Sequence, residues 1–148
     1  MSNFYLLDTN IISHMMRETA GLASQRFSAL VAADNSIKIA TSVVVQCELD
    51  FGLTRRPNQR LQKAYERIVA MLDVLPLSTE VCEHYARLRT QLESKGTPIG
   101  GNDALIAAHA LAISATLVSA DTEFLRVPGL RVENWLLESP PSELGQSG

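Results

Sequence analysis

The 148-residue chain has only two cysteines, Cys47 and Cys82, too few for a disulfide framework and without the CxxC spacing of a metal knuckle. No apolar run approaches the ~20 residues of a membrane span. The N-terminus, Met1-Ser2-Asn3-Phe4, lacks a basic segment and meets Asp8 early, so no signal peptide is expected. A soluble, cytoplasmic protein with no membrane partner is the resulting expectation. Glycine (8) and proline (6) are scarce, while 46% of residues are apolar and 20% charged. Those proportions exclude collagen-like repeats, disorder and a coiled coil. An excess of positive charge is also missing. Thirteen Lys and Arg against 16 Asp and Glu give a net charge of −3, so a broad polyanion-binding surface is not expected. A chain of this length suffices for one domain that buries about 70% of its unfolded surface.

What the chain does contain is an alternation of short apolar runs and amphipathic stretches. Phe4-Tyr5-Leu6-Leu7 reads as a buried strand. Asp8-Thr9-Asn10 then suits a turn into a helix that Gly21 interrupts and that resumes through Phe27, Leu30 and Val31. Ile37 to Ala40 predicts a second strand. Thr41-Ser42 caps a helix from Val43 to about Leu53, with Val44, Cys47 and Phe51 on its inner face. A helix follows from Gln59 to Leu72, then a strand over Asp73 to Leu77. The next helix is capped by Ser78 or Thr79, carries Val81, Cys82, Tyr85, Leu88 and Leu92 inward, and ends at Lys95-Gly96. Asn102 caps a helix from Asp103 to Ile113; strands follow at Ala115 to Ser119 and near Leu130 to Val132. Strands alternating with helices imply a three-layer α/β fold with a parallel sheet. One domain is expected over residues 1–137, with a flexible C-terminal tail at 138–148.

Four acids have apolar or small neighbours. Asp8 ends the first strand, Glu48 sits within Val45-Gln46-Cys47-Glu48-Leu49, Asp103 opens Asp103-Ala104-Leu105-Ile106, and Asp121 follows the Thr116-to-Ser119 strand. Each alone has an ordinary explanation as a helix cap, a first-turn anion, a solvated side chain or an Asx turn. Together they do not, because unpaired carboxylates are almost never buried and like charges cannot all stay ionised without a counter-charge. A hard cation with oxygen ligands answers the pattern. Mg²⁺ takes one or two protein carboxylates and leaves the rest of its shell to water and substrate phosphate. That chemistry suggests phosphodiester hydrolysis.

Several segments resemble the PIN-domain family, and more narrowly the VapC-type toxins of bacterial toxin–antitoxin pairs. They are Leu6-Leu7-Asp8-Thr9-Asn10; Cys47-Glu48-Leu49 with Phe51-Gly52; Gly96 to Leu111; and Thr116 to Ser119 with the later Arg126-Val127-Pro128-Gly129-Leu130. The resemblance implies an α/β/α PIN-like fold and a Mg²⁺-dependent endoribonuclease, with Mn²⁺ able to substitute. Its acidic cluster would be Asp8, Glu48, Asp103 and Asp121, with Asp8 and Asp103 as principal metal ligands. Thr9 and Ser119 match small hydroxyl positions that orient the carboxylates and water. The loop after Ser119 is one residue shorter than in relatives, which leaves the fourth acid open between Asp121 and Glu123. The resemblance also implies a homodimer, a structured RNA substrate such as tRNA or an rRNA loop, and a cognate VapB-type antitoxin whose C-terminal segment occupies the active-site groove.

Other classes fit less well. A haloacid-dehalogenase-like phosphotransferase would carry a second Asp where this chain has Asn10. A silent PIN-like module that binds RNA or protein would have lost acids that are present here. His14, His84 and His109 lack zinc-ligand spacing, and His109 reads as a satisfied core histidine. Cys47 reads as a small buried core residue. The basic residues Arg55, Arg56, Arg60, Lys63 and Arg67 surround only one acid, Glu66, and are candidates for phosphate contacts.

Overall fold

The computed structural model describes residues 3–138. Phe4–Leu7 forms β1, and Tyr5, Leu6 and Leu7 are at most 3% exposed. A strand this continuously apolar must be covered on both faces, which is the setting of a central parallel strand. Accordingly β1 pairs in parallel with β2 (Lys38–Ser42) on one side and β4 (Thr116–Val118) on the other, with Leu6 opposite both Ala40 and Leu117. β3 (Asp73–Leu75) and β5 (Val132–Glu133) form the edges, giving the order β3-β2-β1-β4-β5, parallel throughout. Helices α1 (Thr9–Arg17) and α2 (Leu22–Ala33) join β1 to β2; α3 (Val43–Arg55) and α4 (Gln59–Ala70) join β2 to β3. α5 (Glu80–Ser94) and α6 (Gly101–Ala112) make the return from β3 to β4.

Right-handed crossovers carry the first two connections over one face of the sheet and the returning connection over the other. The result is the three-layer α/β/α architecture. The direction of winding reverses between β1 and β4, so the crevice beyond their carboxyl ends is the switch point where such sheets bind ligands. Among the described residues, no helix is long and apolar enough to cross a membrane.

Several local expectations are corrected. The pairing of β5 begins at Val132, two residues later than the strand expected near Leu130. Leu130 is still in the Pro128-Gly129 turn, its amide bonding the Val127 carbonyl, with Gly129 at a φ of +77°. α6 starts at Gly101, capped by the backbone of Gly100 rather than by Asn102, because the Ala104 amide already bonds the Gly100 carbonyl at 2.9 Å. Neither Ser78 nor Thr79 caps α5 with its hydroxyl; their carbonyls accept from Val81 and Cys82 instead. β3 ends at Leu75, short of Leu77.

Two helical faces also differ. α3 buries Val44, Val45 and Leu49, and leaves Cys47 exposed and Phe51 64% exposed. Cys82 is likewise exposed on α5, which buries Val81, Leu88 and Leu92. Cys47 is therefore not a core residue. The tail expected at 138–148 lies, apart from Glu138, outside the described residues.

Candidate active site

Asp8 follows directly on β1, its amide bonding the Val118 carbonyl of β4 at 2.9 Å, so the sheet itself fixes the residue in the switch-point crevice. The side chain is 4% exposed and surrounded by donors. Its Oδ1 accepts from the Thr9 amide at 2.8 Å. Its Oδ2 accepts from the Ser119 hydroxyl at 2.7 Å and from Asn10 Nδ2 at 3.3 Å. A carboxylate has about four lone-pair sites, so this shell still leaves Asp8 room for a further electrophile.

Thr9 reaches the other way and donates from Oγ1 to Glu48 Oε1 at 3.0 Å, linking the start of α1 to α3. Ser119, the first residue after β4, also accepts from the Asp121 amide at 3.0 Å. Asp121 closes an Asx turn by accepting from the Glu123 amide at 2.9 Å, so its turn role and its place in the cluster coexist. Asp103 lies in the first turn of α6. Its carboxylate, those of Asp121 and that of Glu123 each present an oxygen, all within 4.8 Å of one another.

All six residues singled out from the sequence thus face one crevice: Asp8, Thr9, Glu48 and Ser119 are joined through hydrogen bonds, and Asp103 and Asp121 close in beside them. Glu123, left open as an alternative to Asp121, stands with it rather than in its place. Asn10 was missed. Besides donating to Asp8 and to Ser119 Oγ (3.2 Å), its Oδ1 accepts the Ala120 amide at 3.1 Å, so one side chain clamps the β1 and β4 loops together. Its position two residues after Asp8, at the start of a helix, was the available signal. The basic stretch is not part of the crevice hydrogen bonding; Arg55, Arg56, Arg60, Lys63 and Arg67 are all exposed.

The electrostatics are those of crowded acids. Burial, then the charges of Asp8, Asp121 and Glu123, push Asp103 from 3.8 up to about 6. Burial also raises Asp8; hydrogen bonds from Ser119 and Thr9 oppose the rise, and Glu48 and Asp121 add to it. Glu48 is raised by burial and by Asp103, against the hydrogen bond from Thr9. Among the described residues, the ion pairs join Arg26 to Glu133, Arg87 to Glu83 and Arg89 to Glu93, and none reaches this cluster. Among the described residues, Asp103, Asp121 and Glu123 bring oxygens within reach of one ion, and Asp8 and Glu48 add their charge beside Asp103; this all-oxygen cluster fits a hard divalent ion such as Mg²⁺ or Mn²⁺.

A pH dependence follows. The folded protein holds the Asp103 proton more tightly than the unfolded chain, so the stability this gives is full below about pH 4 and lost as pH rises through about 6. The melting temperature of metal-free wild-type protein, minus that of Asp103→Asn, is therefore expected to fall between pH 4 and pH 7. His109, whose pKa burial lowers, titrates in both proteins and cancels. Differential scanning fluorimetry across this range checks it; a flat difference would remove Asp103 from the charge cluster.

The sequence matches the PIN domain family over residues 5–130. It is 36% identical over 133 residues to Ribonuclease VapC2 of Rickettsia felis, spanning 88% of this chain and 97% of that protein. It is 30% identical over 134 residues to the tRNA(fMet)-specific endonuclease VapC of Salmonella typhimurium, with coverage of 88% and 97%. The crystal structure of VapBC2 from Rickettsia felis bound to a DNA fragment from its promoter superposes with a TM-score of 0.81 at 34% identity, covering 89% of this chain and 98% of that one.

Proposed function

The chain belongs to the PIN-domain family as a VapC-type member, and from that premise we propose that it is a metal-dependent endoribonuclease toxin silenced by a VapB-type antitoxin. The observation that carries this reading is the group of carboxylates at the switch point, with Asp8, Glu48 and Asp103 raised in pKa and, among the described residues, no ion pair reaching them.

Asp8 and Asp103 would be the principal ligands of Mg²⁺, or of Mn²⁺ in its place, with Asp121 and Glu123 completing the negative field. When bound, such an ion would supply charge neutralisation at phosphorus and would make the attacking water more acidic. The chain does the rest. Ser119 and the Thr9 amide fix the plane of the Asp8 carboxylate. Thr9 Oγ1 holds Glu48 Oε1, which leaves Oε2 to accept a proton from the attacking water. The raised pKa of Glu48 brings it closer to neutrality, where a general base is more effective.

The substrate in this reading is a structured RNA, tRNA or an rRNA loop. The exposed cations from Arg55 to Arg67 supply backbone contacts away from the acids. The active form would be a homodimer, which light scattering can check. For the antitoxin, an apolar groove of about 500 Å³ between α1, α2 and α4 offers a seat, with Met15, Phe27, Ile68 and Met71 on its walls and Arg67 among its lining residues.

The test uses purified protein, total RNA and Mg²⁺. Cleavage is expected with Mg²⁺ and none with excess chelator. In parallel, Mg²⁺ at tenfold over its Kd should stabilise the apo protein by about 1.4 kcal/mol, a few degrees of Tm. Chelator-resistant cleavage, or a melting point indifferent to millimolar Mg²⁺, would count against a metal-dependent site.

A further inference from the structure

Two adjacent hydroxyls at the end of β2 tie together the segments that carry Asp8, Glu48 and Asp103. Thr41 Oγ1 donates to the carbonyl of Leu7, the residue before Asp8, at 2.6 Å. Ser42 Oγ accepts from the Val44 amide at 3.1 Å and so starts α3, the helix of Glu48. The same oxygen lies 2.8 Å from His109 Nδ1 on α6, the helix of Asp103. Thr41, Ser42 and His109 are 1%, 0% and 2% exposed. His109 stands among Ala107, Ala108 and Ala110, all fully buried, in a place where an apolar side chain would serve packing alone.

We propose that the Ser42–His109 hydrogen bond is a positioning contact that sets the distance between Glu48 and Asp103, and through it the affinity of the acidic cluster for its divalent ion. The inference rests on the reading of that cluster as a metal-dependent nuclease site.

The contact is available to the neutral ring in either direction: the Ser42 hydroxyl donates to Nδ1, or Nδ1–H donates to the lone pair of Ser42 Oγ that Val44 does not use. Burial lowers the pKa of His109 and favours that neutral form. The lever is short and stiff. Glu48 stands six residues beyond Ser42, about 9 Å along a helix, so a tilt of about 7° at the first turn moves it by about 1 Å. Displacements of that size are costly where charges converge on a reacting group. Glu48 and Asp103 already repel one another, so without a tie between their helices the apo cluster would relax apart.

The test titrates Mn²⁺ alone into metal-free protein by calorimetry, with kcat and KM for RNA cleavage measured on the same preparations. Wild type is compared with H109L, H109N, S42A and H109L/S42A, each checked by circular dichroism at the assay temperature. H109L keeps the Ser42 cap on α3 and removes only the inter-helix bond. Expected are about tenfold weaker Mn²⁺ binding and a lower kcat with unchanged KM for H109L and for S42A. H109N, which puts an amide oxygen at the Nδ1 position, should restore most of both. The double variant should be no worse than the poorer single one, since both remove the same bond. Should H109L fail to fold, H109A, which also keeps the Ser42 cap, carries the same comparison. Unchanged Mn²⁺ affinity and kcat in the folded variants, with only a lower Tm, would reduce the pair to packing and overturn the proposal. Additive losses in the double variant would overturn it too. Wild-type protein that binds no Mn²⁺ would overturn the metal reading as well, whereas normal wild-type binding with unaltered variants overturns this inference alone.

Discussion

Asp103→Asn is expected to lower RNA cleavage by at least about 10³-fold, on the scale of losing a principal electrostatic group in a preorganised site, while the metal-free protein becomes more stable at pH 7. The two effects share one cause. Asp103 is half-buried and faces the charges of Asp8, Asp121 and Glu123, which drive its pKa to about 6. At pH 7 it is mostly ionised against that repulsion, and the neutral amide removes the penalty together with a proposed metal ligand. Asp8→Asn should abolish cleavage as completely yet stabilise less. Asp8 Oδ2 receives donors from Ser119 and Asn10, and an amide there turns at least one donor against another. The Mg²⁺-dependent rise in Tm should also be blunted in both variants. Cleavage by either variant at the wild-type rate, measured on protein with a native circular dichroism spectrum, would sink the assignment of these acids.

The split between what the sequence disclosed and what it hid has a physical basis. A strand buried on both faces is apolar without interruption, so Phe4 to Leu7 and Thr116 to Val118 could be read directly, and an acid ending such a run, as Asp8 does, stands out. The parallel sheet follows from the alternation of elements. The inner face of α3 could not be read in this way. That helix has apolar residues around its circumference, so the face it buries is decided by tertiary packing, including the Ser42 bond to His109 on α6. Hence the helical spacing that points Cys47 and Phe51 inward misleads, and both lie outside. Asn102 before Asp103 looked like the better cap by side chain, but the extended backbone of Gly100 began α6 earlier and put Asp103 in its first turn. Glu123 and Asn10 belong to the cluster through loop geometry: one by the Asx turn at Asp121, the other by spanning from Asp8 to Ala120. The sequence offers only their nearness to Asp8 and Asp121, which does not show that both side chains turn into the cluster.

Removing the C-terminal segment of the antitoxin, while keeping its DNA-binding part, is expected to release full RNA cleavage and to abolish rescue of growth on co-expression. The argument starts from the geometry of α1. Its first residue follows Asp8, and Met15, seven residues on and about 10 Å along the axis, already lines the apolar groove with Phe27, Ile68 and Met71. About three or four residues of extended peptide cover that distance. One short segment can therefore seat apolar side chains in the groove and still bring an Arg or Lys to Asp8, Glu48, Asp103 or Asp121. Such a cation would neutralise the same carboxylates that a metal–phosphate pair would, and burying the pair favours slow dissociation. Met71, 58% exposed in the isolated chain, should become protected in the complex. The measurement is growth rescue by full-length and truncated antitoxin at equal expression, with RNA cleavage by the purified pairs. Replacing the inhibitory cation with Ala should weaken inhibition without removing the groove contact. Equal rescue by both forms would place the inhibitory contact elsewhere and end the case for occlusion of the acidic crevice.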